Sequence, residues 1–391
     1  MDSSEQQHQY FSLSEGGPAH SLLCKMHVYQ NRKKLLLFFF CITWLPLLIL
    51  SAIEGTCFTG IHPFLEDIAM QIRFLLALPM LLLLGSGIDA RVIAVKRYVS
   101  ETLMSGEEQQ RVFARIVRDS RKLAWSTTTE LVLLLIVVAI TIGHGKGGLL
   151  VGSTTSGTWM FATIEGKNVL SHAGQWAVFF SIPIFQFMVL RGFWRYIVWS
   201  IMLFRFSNAN MDLQATHPDK AAGLGILMLA QKSFCSFFIA ISIVASGELI
   251  ARLLADPNSF GSIRKDGLGY IILFVVLIFL PLLFFIKKLI MVKEEGLIRL
   301  SRTGTNMSHR FERDWVNDLS IENKVEDAVV DPSTMQDYDT VFVSLEEMQM
   351  VPFALKDVIV ITIMLFLPYL PIIVLHFSVA ELLERLLGLL M

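Results

Sequence analysis

The 391 residues are 54% apolar and only 17% charged, and 29 phenylalanines and 17 methionines help to make the mean hydropathy positive. A water-soluble chain of this size needs charged surface in proportion to its area, so an ordinary soluble globule is excluded and lipid is the implied solvent. A formal net charge of −1 leaves no global basic field of the kind that holds nucleic acid.

A helix needs about 20 apolar residues to cross a hydrocarbon core roughly 30 Å thick. Runs of that length predict spans at 35–53, 68–87, 124–143, 173–190, 224–250, 268–286 and 353–376. The expected fold class is all-α: an integral membrane bundle of about seven kinked transmembrane helices with short cytoplasmic amphipathic helices. Residues 1–34 read as a cytoplasmic tail. Residues 35–391 read as one transmembrane domain, with cytoplasmic segments at 88–123, 191–223 and 287–352. The first apolar run is too long for a cleaved signal peptide and is expected to stay as an anchor. Most of the 33 lysines and arginines fall on the side of the N-terminus, so the positive-inside rule places that end in the cytoplasm and the C-terminus outside.

The stretch "RGFWRYIVWSIMLFRF" has nine uncharged residues between Arg195 and Arg205, too few to cross on its own. It is expected to extend the fourth span to the inner interface, with Trp194, Tyr196 and Trp199 at headgroup depth and the arginines reaching for phosphates. Pro46, Pro79, Pro183, Pro281, Pro368 and Pro371 lie inside spans and predict kinks. Ser236 with Ala240, and Ser242 with Ser246, are four apart and would admit a close helix neighbour.

Ionisable residues inside spans are costly and therefore candidates for function. Depth along the helices pairs Arg73 with Glu248 and Lys232 with Glu130. Such pairs either couple an ion or proton or simply lock helices together. "HPFLEDIAMQIRFLLALPM" and "VPFALKDVIVITIMLFLPY" share a Pro-Phe start, an early acid and a later Leu-Pro. They enter from opposite sides, as inverted repeats would, although two short matches also arise by chance.

"THPDKAAGLG", at 216–225, carries the His-Pro-Asp of a J-domain without the basic, water-exposed helix that precedes it there. Pro218 turns the chain toward a helix start, and Asp219 is placed to cap it. The loop is either such a cap and no more, or a site where His217, Asp219, Lys220 and Arg205 hold an anion such as a lipid phosphate. HPD followed by GLG after a Trp-Arg-rich helix, "MQDYDTVFVSLEEMQMVPF" and "FLPYLP" together resemble a family of uncharacterised polytopic inner-membrane proteins of bacteria. The resemblance implies a bacterial inner membrane and a shared helical architecture, and it brings no activity. Ala222 departs from its pattern, which would have glycine there.

Ser105 with Glu108 predicts a capping box before a helix to about Leu123. On that helix Arg111, Arg115, Arg118 and Lys122 form one stripe opposite Phe113, Ile116 and Val117. This basic face either lies along the inner leaflet, binds the acidic stretch 326–347, or is an ordinary solvated surface. The 287–352 segment continues the sixth span as a basic helix, loosens around "EDAVVDPSTMQDYD" and re-forms at Ser344, where Glu347 offers a second capping box.

"GHGKGGLLVGSTTSG" lacks the Lys-Ser/Thr of a phosphate-binding loop and reads as a flexible outer loop. The four cysteines have no paired spacing, so neither a disulfide nor a zinc site is expected. No catalytic residue, cofactor or metal is expected, and the chain reads as not an enzyme. The expected partner is the bilayer, with anionic lipid a candidate and nucleic acid excluded. Two functions remain in view: small-solute or ion transport using the charge pairs, and a non-transporting sensor or scaffold whose cytoplasmic helices and HPD loop bind lipid or a partner.

Overall fold

A computed structural model describes residues 12, 16–27, 31–147, 158–164, 167–316 and 331–376. Helix dominates. A short helix α1 (Gly17–Lys25) precedes α2 (Arg32–Ile53), α3 (Ile68–Leu103), α4 (Glu107–Ala124) and α5 (Thr127–Gly147). An antiparallel hairpin of β1 (Phe161–Ile164) and β2 (Lys167–Leu170) follows, pairing Phe161 with Leu170 and Ile164 with Lys167. Then come α6 (His172–Asn208), α7 (Leu224–Ala255), α8 (Pro257–Phe311), α9 (Pro332–Glu346) and α10 (Leu355–His376).

Seven helical stretches among the described residues are long and apolar enough to cross a membrane, and they fall on the seven predicted runs. The chain is a multi-pass membrane protein. Most of the glycine-rich stretch, residues 326–330 of the acidic segment, and the C-terminus lie outside the described residues.

Five of the six span prolines coincide with or follow a departure from regular α-helix, and Pro371 lies in the final regular turns of α10, Leu370–His376. Pro46 follows a break at Trp44, and Pro79 and Pro183 follow wider turns at Ile72–Ala77 and Ala177–Ser181. Pro281 and Pro368 sit in tighter turns at Leu280–Phe285 and Leu367–Tyr369. The missing N–H and the ring's clash with an earlier carbonyl force the local change of pitch.

Three helices are much longer than a bilayer is thick. At 36, 37 and 55 residues, α3, α6 and α8 extend roughly 54, 55 and 80 Å, against a core of about 30 Å. All three end on the membrane surface where the N-terminus lies, here the N-terminal face. Their extensions, with α4 and α9, form the largest apolar core, including Val99, Phe113, Trp199, Phe206, Leu289, Leu345 and Met348. Packing under the bundle is as expected, and the stretch 191–206 continues the fourth span as expected, but its aromatic side chains are corrected from headgroup contacts to protein contacts. Trp199 is 0% exposed, donating its indole N–H to Gln231 Oε1 at 3.0 Å. Tyr196 is also buried and donates to the Leu277 carbonyl, while Trp194 donates to that of Leu123.

Helix α4 is amphipathic as predicted, but its start is different. Gly106 is the cap, with its N–H donated to Gln109 Oε1 at 2.9 Å, so the Ser105–Glu108 box does not form. The expected restart at Ser344 is also corrected: α9 begins at Asp331, whose carboxylate accepts from the Thr334 N–H at 2.7 Å, and Ser344 lies within it. Asp331 supplies the cap and Pro332 the preset φ, so the helix starts thirteen residues before Ser344. Within residues 1–34, α1 packs back onto the bundle and buries Leu23.

Candidate functional site

The intramembrane charges fall on α7 and its neighbours. Arg73 of α3 pairs with Glu248 of α7, as depth predicted. The Lys232–Glu130 pair does not form. Lys232 instead meets Asp357 of α10 at 2.7 Å, and Glu130 of α5 meets Arg191 of α6 at 3.0 Å. Depth was the right coordinate for both, but it leaves open which helix stands beside α7 at that level. Ser242 marks the answer: its hydroxyl donates to the Leu365 carbonyl at 2.9 Å, bringing α10 against α7 as the small-residue spacing allows. The two echoing segments thus dock at opposite ends of α7. The pairing residue is the arginine in one and the acid in the other, so they do not contribute equivalent groups.

The HPD loop is a folded clamp. Lys220, Ala222 and Gly223 all have positive φ, and this turn aims three backbone N–H groups at one carboxylate. Asp219 accepts from Ala221 at 2.8 Å, Gly223 at 3.1 Å and Gly225 at 2.9 Å, and lies 2.8 Å from His217 Nδ1. Lys220 pairs with Glu347, and its carbonyl accepts from the Gln349 N–H at 2.7 Å, tying the loop to the end of α9. Asp219 is therefore a cap, as expected, holding Gly225 in the first turn of α7 and also the turn that precedes it. Its carboxylate fills the anion position that a lipid phosphate was expected to take. Arg205 does not join the loop; it faces Asp119 of α4 at 3.4 Å. The four residues predicted as one phosphate site are thus split.

Burial pushes the Asp219 carboxyl up, but the three N–H groups and His217 outweigh it and hold the group below the usual carboxylate range. A depressed carboxyl contributes stability above its unfolded-state value of about 4, and that contribution is lost as pH falls through the folded-state value. Asp219→Ala is therefore expected to speed amide exchange at Ala221, Gly223 and Gly225. The wild type should show the same loosening only on acidification below the carboxylate range. Unchanged exchange in the variant would contradict the clamp.

Arg111, Arg115, Arg118 and Lys122 are all exposed, as predicted. Their helix does not lie along the leaflet. Phe113 stacks on Phe206 at 5.6 Å, while the Leu123 carbonyl accepts from Trp194, so α4 runs antiparallel to the α6 extension and stands upright. The described part of the acidic stretch belongs to α9, which docks on α8 through Tyr338 to the Leu300 carbonyl and Lys293 to the Glu346 carbonyl at 2.6 Å.

Beside the foreseen Glu130, three residues not foreseen, Arg191, Asp89 and Lys96, complete the site. Arg191 is 8% exposed, Glu130 8%, Asp89 6% and Lys96 0%, all toward the N-terminal face. Arg191 also donates to the Gly16 carbonyl at 3.0 Å, and Glu130 accepts from the Ala19 N–H at 2.8 Å, so this buried pair holds the start of α1. Arg191 was legible only as the charge that ends a span. Compared with models of known families, with curated proteins and with solved structures, the chain matches none of them.

Proposed function

We propose that this chain is a non-transporting membrane scaffold of the bacterial inner membrane, with its N-terminal face in the cytoplasm and the basic stripe of α4 presented to an acidic partner. The upright stance of α4 carries the reading. Arg111 lies twelve residues from Leu123, roughly 18 Å farther from the membrane, while headgroup charge is screened within about 8 Å. Lipid alone therefore leaves the outer part of the stripe uncompensated. None of the four cations makes an ion pair among the described residues.

Transport finds less support. Lys232 and Glu248 are sixteen residues apart on α7, about 24 Å, which puts the two charge pairs near opposite surfaces. A coupling site belongs near the midplane. There α7 buries Phe237, Phe238 and Ala240 instead.

The test uses the full chain in nanodiscs of neutral phosphatidylcholine and a labelled glutamate-rich peptide. Binding that weakens with salt is expected, and Arg111→Glu with Arg115→Glu and Arg118→Glu should reduce it about tenfold or more. Equal binding by the variant would overturn the proposal. So would saturable ion uptake into proteoliposomes that Glu248→Gln abolishes.

A further inference from the structure

An apolar side chain that faces outward within a span has lipid for a neighbour, whereas one well beyond the bilayer faces water. Phe311 of α8 lies 25 residues past Ile286, the predicted end of the sixth span, and so roughly 38 Å farther from the membrane. Beside it a groove of about 440 Å³ opens between α8 and α9. That volume falls within the roughly 300–1,000 Å³ of small-ligand sites.

Helical period builds the groove. Met335, Tyr338, Asp339 and Phe342 stand at i, i+3, i+4 and i+7 and share one face of α9, while Phe311 lines it from α8. Tyr338 is fixed in place: its hydroxyl donates to the Leu300 carbonyl, and its ring lies over Gly304, where a Cβ would fall 3.0 Å from it. The rings of Tyr338 and Phe342 are 6.5 Å apart, and both, like Phe311, are only partly buried. No lysine or arginine lines the groove, and Asp339 is its one carboxylate. Asp339 is exposed and makes no ion pair among the described residues.

Loose packing at the end of a helical hairpin accounts for the space, and water alone can solvate an exposed carboxylate. Neither accounts for open aromatic rings gathered around that carboxylate. The sign of the charge favours a cationic occupant. The link 317–330 between the two helices has four acids to one lysine, so it repels Asp339 on balance. Aromatic faces attract cations, and a guanidinium both stacks on a ring and gives a carboxylate two parallel N–H groups. Arginine is also a frequent anchor of protein interfaces.

We propose that this groove binds an arginine side chain of a protein partner on the side of the N-terminal face, with its guanidinium on Asp339 and its stem against Met335, Tyr338 and Phe342. The site is separate from the α4 stripe, prefers the opposite charge, and does not rest on the scaffold reading. The full chain in phosphatidylcholine nanodiscs is titrated with a labelled peptide of alternating leucine and arginine, and with the same peptide carrying citrulline or lysine in place of arginine. Ethylguanidinium is added as a competitor, and binding to empty discs is subtracted.

Saturable binding of the arginine peptide is expected, about tenfold weaker with citrulline and several-fold weaker with lysine. Asp339→Asn and Phe342→Ala should each lower the affinity about tenfold. No saturable binding, equal affinity for the citrulline or lysine peptide, or undiminished binding by Asp339→Asn overturns the proposal. So does displacement by ethylguanidinium at the concentration at which the peptide binds, since the ligand is then a small organic cation. Asp339 is exposed, so its substitution spares the fold, and the comparison among peptides needs no variant.

Discussion

Glu130→Leu is expected to cost about 3–5 kcal/mol of stability, read as a large fall in the melting temperature in detergent, and Arg191→Leu about as much. Each variant strands a charge that is nearly sealed from solvent, since the two side chains are only 9% and 10% exposed. The double variant should recover much of the loss, because no charge is then left without its counter-ion. Both single variants should also free α1, whose Ala19 N–H and Gly16 carbonyl are held by this pair.

Gly17→Val separates the two effects. A Cβ there would fall 2.4 Å from Glu130 Oε1, on a backbone with φ of +82°. The expected result is a tail that proteases remove readily from a bundle that melts close to the parent. If both single leucine variants melt like the parent and the tail stays protected, the pair is not a buried latch.

Trp199→Ala should be as damaging, at about 3–5 kcal/mol, because it empties the centre of the largest core. Trp199→Phe keeps most of the ring but leaves Gln231 Oε1 without its indole donor, a loss of about 1–3 kcal/mol. A headgroup tryptophan behaves differently, since water and lipid replace its partners when it is cut back. Unfolding of the two variants by denaturant titration distinguishes these cases. A Trp199→Ala protein as stable as the parent would return this residue to the interface and remove the α6 extension from the core.

Crossing number, crossing positions and the sites of helix distortion depend on quantities carried along the chain. A run of apolar residues has a length, and a proline removes its own N–H wherever it stands, so Pro79 and Pro281 mark irregular turns without reference to any neighbour. The stripe of Arg111, Arg115, Arg118 and Lys122 was legible for the same reason, because helical period sorts one face from the other. Arg73 and Glu248 were paired by counting along two helices from the same surface.

Counting gives depth and no azimuth. Lys232, Glu130, Arg191 and Asp357 all lie toward one surface, and which meets which depends on how the helices are arranged around α7. The close approach of α10 at Ser242 assigns Asp357 to Lys232, and the passage of α5 beside α6 assigns Arg191 to Glu130. The fate of Trp199 was hidden in the same way. Phe234, which stacks on it, and Leu282 and Leu345 in the same core come from distant parts of the chain, and the extension that buries them exists because three helices overrun the bilayer on the same side. Lipid solvation constrains each helix separately, whereas burial and charge pairing depend on several helices at once.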